Sequence, residues 1–416
     1  MSEQRPDDAY SVAKSEAALW PDVGRYLPDD VLGTIADGAA AGDADGAVPE
    51  ESYRVLRAGG YPGMPVPTEY EGGGATLLEC AAAQRRLAAA DPGLAIAVNM
   101  HLFSVGVMVE HWRRARDASW LLLEAIATQR RLVASAFAEP GLAGSLLRSH
   151  CVATPVDKGY QVSGVKMPCS LAGRSDLICL QMQLPEPGPD SLLVALIPTD
   201  SPGVRVERTW NTLGMRASES DTLRLEDCFV PEDLVFYRCR PGFDADEVFA
   251  AGLVWFAITT TATYLGVASQ LLGQVRQALQ KARVRHLDAV RAQLPSVQSA
   301  VGELSATLAT QELACIGLAR TADAGGVDPR GLLPAALGLK HTAVEACTRV
   351  VAEAAELVGA MSYGRRGPFE RLWRDVQAVR FHPPVRLATR QILGRWSLGY
   401  PFSFELDERP VPGPAE

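Results

Sequence analysis

The segment ASAFAEPGLAGSLLRS (134–149), followed by GYQVSGVKMPCSLAGRSD (159–176), decides how the rest of the chain is interpreted. Each piece contains a β-prone run that is broken by turn residues such as Gly and Pro. The two pieces stand where helical patterning upstream gives way to strand patterning downstream. They therefore predict a junction between a helical domain and a β-domain.

Upstream of this junction, apolar residues recur at spacings of three and four, which is typical of amphipathic helices. The pattern is carried by the stretches VPEESYRVLRAGG (48–60), TLLECAAAQRRLAAADP (76–92), LAIAVNMHLFSVGVMVEHW (94–112) and ASWLLLEAIATQRRL (118–132). We therefore predict an N-terminal helical domain over residues 1–131. The Ala-, Gly- and Asp-rich stretch 36–50 is expected to be a loose connection between helices.

Around and beyond the junction, short β-prone runs separated by turn residues predict a small β-barrel or sandwich over residues 132–243. The runs are LVASAFAE, HCVATPVD, GYQVSGVKM, DLICLQMQL, SLLVALIPTD, GVRVERTW and DTLRLEDCFV. Long helical patterns then return, and four of them predict a C-terminal four-helix bundle over residues 244–402, with a tail at 403–416. The predicted fold class is α+β.

The stretch from Phe249 to Gly273 carries no charge and is long enough to cross a membrane. It is rich in Thr, Gly, Ala and Ser and leads directly into a charged segment, and no second such stretch stands out. A helix buried inside the bundle therefore explains it better than a membrane span.

Composition excludes several classes of partner. The 416 residues carry a formal net charge of −9, which argues against nucleic acid or a membrane surface as a partner, since both attract clustered Lys and Arg. The eight cysteines are scattered without metal-ligand spacing, so we expect reduced thiols and no metal site. The polar, acidic start lacks the features of a secretory signal, and we expect a cytoplasmic protein.

The two quoted segments resemble the acyl-CoA dehydrogenase superfamily, whose members carry a T-E-P-x-x-G-S element followed by a G-x-K-x-x-(I/V)-(T/S) element at this junction. Further landmarks of that superfamily are resembled in the same order by VPTEYEGGGA (66–75), NTLGMRASESDTLRLEDCFVP (211–231) and ELVGAMSYGRRGPFERLWRDVQAV (356–379). The resemblance implies a flavin, FAD or FMN, bound between the β-domain and the C-terminal bundle. It also implies a homodimer or homotetramer, because relatives complete the flavin site across a subunit interface.

The resemblance assigns candidate flavin-binding residues. Beside the ring it places Phe137, Ala138, Pro168 and Ser170, and towards the phosphates it places Ser145 and Arg285. It also assigns Glu356 and Gly359 to the cofactor, where Gly359 would let the backbone approach a flavin that often belongs to a neighbouring subunit. The family's usual Thr and aromatic residue are replaced by Ala138 and Pro168, which implies a more loosely held flavin or one that lacks the adenine half.

The residues depart from the family where a dehydrogenase needs its base. The glutamate that removes the α-proton in many members corresponds to Pro383, and the segment 274–280 offers no carboxylate in its place. In this respect the chain resembles another branch, the two-component flavin monooxygenases of the dibenzothiophene monooxygenase type.

In that branch two histidines and a serine surround the reactive ring, and His101, Ser170 and His382 stand at the matching places. Ser170 would donate a hydrogen bond near the flavin, and His382 or His101 would move a proton. Each residue also has a purely structural interpretation. His101 fits a hydrogen-bonded core residue, and His382 fits the end of a helix before Pro383 and Pro384.

Three functions remain open from the residues. The first is a monooxygenase that uses O₂ and reduced flavin from a separate flavin reductase to oxidise a small organic substrate. The second is a dehydrogenase or desaturase with a relocated base, acting on an acyl-CoA or on a thioester of an acyl-carrier protein. The third is a non-catalytic flavin-binding partner.

Overall fold

A computed structural model describes residues 19–142, 145–242, 246–365, 367–400 and 403. Its first part is helical, as predicted. The helices are α1 (Asp29–Asp45), α2 (Glu50–Ala58), α3 (Leu77–Ala90), α4 (Pro92–Ala115) and α5 (Trp120–Thr128). Side-chain caps fix the starts of α3 and α4: Thr76 and Glu79 form a capping box, and Asp91 accepts from two backbone N–H groups.

Helix α1 corrects the expectation of a loose connection over residues 36–50. Alanine is the best helix former, and it dominates this stretch. A Cβ atom added to Gly42 would lie 3.2 Å from the Ala47 carbonyl oxygen, so the missing side chain allows the following segment to pack closely. Gly46, at φ 68°, ends the helix in the left-handed conformation. The glycines here serve packing and capping.

The middle part is one mixed eight-stranded sheet with its own apolar core. The strands are β1 (Val133–Ala136), β2 (Val152–Val156), β3 (Gly159–Cys169), β4 (Leu177–Gln183), β5 (Leu192–Pro198), β6 (Val204–Glu207), β7 (Asp221–Pro231) and β8 (Val235–Cys239). Their order is β6-β7-β3-β2-β4-β5-β8, and β1 pairs with β4 in parallel. The seven predicted runs correspond to β1–β7, whereas the five-residue β8 was not predicted, although Val235, Phe236 and Tyr237 are β-prone.

Helices return in the last part. They are α6 (Glu247–Lys281), α7 (Pro295–Asp323), α8 (Pro329–Val358), α9 (Pro368–Val376) and α10 (Arg386–Ser397), and a two-stranded hairpin of β9 (Arg283–Val284) and β10 (Ala289–Val290) joins α6 to α7. The α+β class and the helical, β, helical order are confirmed. The fourth predicted helix is α10, which has 12 residues and begins after Pro383 and Pro384. The predicted tail falls outside the described residues except for Ser403.

Among the described residues, two helices, α4 and α6, are long and apolar enough to cross a membrane, but 94% and 100% of their apolar windows are buried inside the protein. The expectation that only the α6 stretch meets this criterion is therefore wrong, whereas burial inside the protein explains both helices. Helix α6 packs on α3 at Gly266, where an added Cβ atom would lie 2.1 Å from the Arg85 carbonyl oxygen. Helix α6 also packs against α4, α7 and α8, and it is therefore the central helix of the core.

All eight cysteines are buried and free. Within the described ranges, no group of three or more His, Cys, Asp or Glu side chains is placed to hold a metal ion.

Candidate functional site

A cavity of about 330 Å³ lies where the β-domain meets α4, α6 and the segment after α9. It is the candidate site, because its lining brings together Ser170, His382 and Pro383, which the sequence motifs singled out. Its lining consists of Ile96, Met100, Phe103, Ser135, Phe137, Ala138, Leu146, Pro168, Ser170, Trp210, Thr212, Leu213, Gly214, Met215, Ser218, Ser220, Phe256, Arg374, Gln377, Ala378, Phe381, His382 and Pro383.

One wall of the cavity is aromatic. The ring of Phe103 contacts those of Phe137 and Phe256 edge to face, with centroids 5.2 and 5.9 Å apart. These rings come from three separate elements, α4, the end of β1 and α6. Together they exclude water from that side of the cavity.

The β-domain contributes a row of hydroxyl groups. The Oγ atoms of Ser170 and Ser218 each lie 2.7 Å from the Oγ atom of Ser220. Apolar walls combined with hydroxyl groups along one side fit a flat cofactor that has apolar faces and a polar edge, such as the flavin ring. The residues that line the cavity therefore fit the flavin that the sequence implies.

The ends of β1 and β3 are joined beside this row by a buried ion pair between Glu139 and Lys166. Lys166 is fully buried, and its Nζ donates to Glu139 and, at 3.1 Å, to the Ser149 Oγ. Burial alone would raise the pKa of Glu139, but Lys166 together with hydrogen bonds from Ser149 and the His150 N–H holds that pKa below its ordinary value. The Met167 N–H also donates to the Ala138 carbonyl oxygen at 2.9 Å. The ion pair thus supports the backbone that carries the cavity residues of both strands.

His382 also lines the cavity. Its Nε2 lies 2.6 Å from the Tyr264 hydroxyl of α6, and its carbonyl oxygen accepts from the Lys340 Nζ of α8 at 2.8 Å. Burial, with a smaller contribution from Lys340, lowers the pKa of His382 to about 3. Burial also lowers the pKa of Lys340 to about 7. At neutral pH His382 is therefore an uncharged imidazole.

His101, by contrast, lies outside the cavity lining. It is fully buried, its Nδ1 accepts from the Val133 N–H at 3.1 Å, and its Nε2 lies 2.9 Å from the Pro62 carbonyl oxygen. Both ring nitrogens are thus engaged with backbone, which matches the structural interpretation of this residue. The structure does not bring His101 together with Ser170 and His382, and we assign it no catalytic role.

Burial lowers the pKa of His101 to about 4, so the folded protein holds it neutral while an unfolded chain takes up a proton near pH 6.5. Its contribution to stability is complete above pH 6.5 and is lost as the pH falls towards 4. His101→Gln should cost roughly 1–3 kcal/mol at pH 7, because backbone hydrogen bonds are lost. That deficit relative to wild type should shrink by about 2 kcal/mol between pH 7 and pH 5. Urea unfolding at both pH values measures it, and a constant deficit would contradict a neutral His101.

The remaining predicted cofactor residues lie in two places. Phe137, Ala138 and Pro168 line the cavity with Ser170, whereas Ser145 is buried next to the lining residue Leu146.

Arg285, Glu356 and Gly359 lie outside the cavity, at the hairpin after α6 and at the end of α8. The two regions are in contact, since Arg291 donates to the carbonyl oxygens of Leu357 and Val358 at 3.0 and 2.8 Å. Within one chain, the structure therefore separates these three residues from the ring-binding group.

Sequence reasoning missed several residues that shape the site. The loop 213–215 is fastened to α9 by Arg374, which donates to the Leu213 carbonyl oxygen at 3.0 Å, and by Asp375, which accepts from the Met215 N–H at 2.6 Å. Arg374 also pairs with Asp43 of α1. Burial raises the pKa of Asp375 to about 7. The R-D landmark was visible in the sequence, but the loop that it fastens was not.

Comparison with known proteins agrees with this architecture. Models of the acyl-CoA dehydrogenase N-terminal, middle and C-terminal domains match residues 31–121, 134–228 and 247–382. Isobutylamine N-hydroxylase from Streptomyces viridifaciens is 32% identical over 353 residues, which cover 83% of this chain and 89% of that relative. The chain belongs to the acyl-CoA dehydrogenase family. It is a flavin-dependent oxidoreductase.

Two further relatives lie in the same part of the family. L-evernosamine nitrososynthase from a Micromonospora species is 29% identical over 397 residues, covering 91% of this chain and 90% of that relative. The X-ray structure of KijD3 in complex with FMN and dTDP-3-amino-2,3,6-trideoxy-4-keto-3-methyl-D-glucose superposes with a TM-score of 0.82 at 26% identity, covering 92% of this chain and 97% of that chain. The predicted family, its monooxygenase branch and a flavin cofactor are confirmed.

Proposed function

We propose that the protein is a flavin-dependent N-oxygenase, which transfers one oxygen atom of O₂ to the nitrogen of a small primary amine. The observation that carries this proposal is the charge of the cavity. Among the described residues that line it there is no carboxylate, and Arg374 alone is charged at neutral pH. Arg374 is already paired with Asp43 and Glu370.

A cavity of this kind argues against thioester dehydrogenation. That reaction needs a base to remove the α-proton as hydride leaves for the flavin. Pro383 lines the cavity where many family members carry the glutamate, and His382 accepts protons only near pH 3. A relocated carboxylate base would have to stand outside the described lining.

The same cavity suits an uncharged amine. Apolar surroundings disfavour the ammonium form, and only the neutral amine has a lone pair that can attack oxygen. The names of the relatives support the amine as substrate class: one is an N-hydroxylase of isobutylamine, another is a nitrososynthase of an amino sugar, and KijD3 binds FMN with an amino sugar. A cavity of about 330 Å³ has room for a flavin ring and a small aliphatic substrate.

We infer the following roles for the residues. Phe137, Ala138, Pro168 and Ser170 would hold the flavin ring, and Ser145 would approach a phosphate. When bound and reduced, the flavin supplies the two electrons that activate O₂. Ser170 and His382 place hydrogen-bond donors at the cavity wall, where negative charge on oxygen would otherwise be unshielded. In the balanced reaction, an amine N–H becomes N–OH, the second oxygen atom leaves as water and the flavin is oxidised.

The test is a coupled assay with a flavin reductase, NADH, FMN and isobutylamine. We expect formation of N-hydroxyisobutylamine, with oxygen uptake that increases with the amine. Anaerobic bleaching of the bound flavin by an acyl-CoA, without any amine product, would instead establish a dehydrogenase. Product from a thioether or an aromatic but not from amines would overturn the substrate class.

Ser170→Ala should lower product per O₂ consumed by about a hundredfold, the cost of removing one preorganised donor. Ser175→Ala is the matched control, because the Ser175 Oγ bonds Thr199 outside the cavity. We expect Ser175→Ala to retain the product yield of wild type. Equal yields from both variants would remove Ser170 from the mechanism.

The proposed partners follow from the same function. We infer a separate flavin reductase and a cytoplasmic location, where NADH is available. We also infer a homodimer or homotetramer, because large apolar side chains after α8 and at the end of α10 are exposed, with Met361 81%, Tyr363 91% and Leu398 76% accessible. A second copy would bring these surfaces together near Arg285, Glu356 and Gly359.

A further inference from the structure

The hydrogen bond between Tyr264 and His382 determines which nitrogen of the histidine carries the proton. Tyr264 lies in the middle of α6 and is fully buried. Its hydroxyl lies 2.6 Å from the His382 Nε2, and the two rings are 5.5 Å apart at 50°. Among the described residues, this is the one hydrogen-bond partner of the Tyr264 hydroxyl.

Energetics fix the direction of this hydrogen bond. If Nε2 carried a hydrogen and donated it, the Tyr264 O–H would be buried without an acceptor. A buried donor without an acceptor generally destabilises a folded protein. If Tyr264 donates instead, Nε2 accepts and the single proton of the neutral imidazole lies on Nδ1. Burial raises the pKa of Tyr264 far above its ordinary value, so its hydroxyl remains a donor at any physiological pH.

We propose that Tyr264 is a positioning residue that fixes the Nδ1–H tautomer of His382, so that the ring presents a hydrogen-bond donor to the cavity. His382 lines the cavity, and no described residue is hydrogen-bonded to its Nδ1. His382 then binds an oxygen atom of the reacting group and does not act as the base for the substrate. This inference rests on the proposed function for its catalytic meaning, whereas the tautomer itself is a property of the chain.

Lys340 holds the backbone that carries His382. Its Nζ donates to the carbonyl oxygens of His382 and Pro384 at 2.8 and 3.0 Å, which fixes the backbone on both sides of Pro383. Its charge also opposes a second proton on the imidazole. Helix α6 therefore fixes the ring, and helix α8 fixes the backbone that carries it.

The direct test is NMR of the full-length protein labelled with ¹⁵N-histidine, with and without oxidised FMN. Long-range ¹H–¹⁵N correlations distinguish the two neutral tautomers, and the signals absent from His382→Asn belong to His382. We expect the Nδ1–H pattern in wild type and a mixture of tautomers in Tyr264→Phe. An Nε2–H pattern in wild type, or an unchanged pattern in Tyr264→Phe, overturns the proposal.

Tyr61→Phe is a matched control, because Tyr61 is also fully buried and donates one hydrogen bond, to Gln84, outside the cavity lining. It should leave the His382 signals and the product yield unchanged. Tyr264→Phe should lower product per reduced flavin by about tenfold, since the donor is then present in only part of the molecules.

Two substitutions of His382 distinguish which of its ring nitrogens supplies the hydrogen bond. The amide of asparagine can occupy the position of Nδ1, whereas that of glutamine reaches the position of Nε2. His382→Asn should retain turnover within about tenfold, and His382→Gln should lose about a hundredfold. Equal turnover of the two variants contradicts an Nδ1 donor. If amines are not substrates, the assay fails for every variant, but the tautomer measured by NMR still decides the role of Tyr264.

Discussion

Lys166→Met is expected to lower the free energy of unfolding by about 3–5 kcal/mol, because it leaves the Glu139 carboxylate buried without its cation. Both side chains are almost inaccessible, at 0% and 2%. Since the pair joins β1 to β3 beside Ala138 and Met167, the variant should also bind flavin more weakly. Urea unfolding followed by circular dichroism and a flavin titration measure the two effects.

Two controls isolate the buried charge as the cause. Adding Glu139→Gln to Lys166→Met should recover part of the stability, since a neutral amide costs less to bury than a carboxylate. Arg349→Met removes an exposed ion pair with Glu303 and should cost less than about 1 kcal/mol. If Lys166→Met proves no worse than Arg349→Met, the pair does not hold the two strands together.

Gly214→Ala is expected to have the largest effect on turnover among single-methyl changes. An added Cβ atom would lie 2.3 Å from the Arg374 carbonyl oxygen and 2.4 Å from its carbonyl carbon. Only a backbone shift of roughly 1 Å relieves such a contact, and a shift of that size at a reacting site costs about a hundredfold in rate. Both residues line the cavity, so amine oxidation should fall by that factor, as measured by product formation at saturating flavin.

The matched control is Gly302→Ala in α7, where an added Cβ atom meets nothing within 4 Å. The same substitution should there raise stability by about 0.5–1 kcal/mol, through helix propensity, and leave turnover unchanged. Thermal unfolding compares the two variants. A Gly214→Ala protein with wild-type turnover would show that the loop 213–215 is not part of the working site.

The fold was largely predictable because its signals are local. Apolar spacing marked most of the helices, and alternation with turn residues marked β1–β7. One miss has a specific cause, because α1 contains glycines that serve packing. The length of β8 does not explain why it was missed, since it has five residues and the predicted strands β1 and β6 have four. In α6, apolar or small residues cover every face, so its pattern predicts burial but not which side chain meets the cavity.

The site was predictable only where a motif carried it. Ser170 and Pro383 were found because they follow recognisable landmarks, and the structure places both at the cavity. His101 shows what sequence context cannot distinguish. A histidine held between two backbone groups has the same neighbours in sequence as one that lies beside a cofactor. Tyr264 and Lys340 had no signal at all, since they lie 118 and 42 positions from His382 and meet it only through the packing of α6 and α8.

The burial of the cysteines has a consequence for the lifetime of the protein. An enzyme that reduces oxygen on a flavin releases hydrogen peroxide whenever turnover is interrupted, and peroxide oxidises accessible thiolates. Burial raises the pKa of every one of the eight thiols, including Cys169 beside the cavity residues Pro168 and Ser170. At neutral pH all eight thiols are therefore protonated and buried, which would protect them from peroxide formed in the same protein.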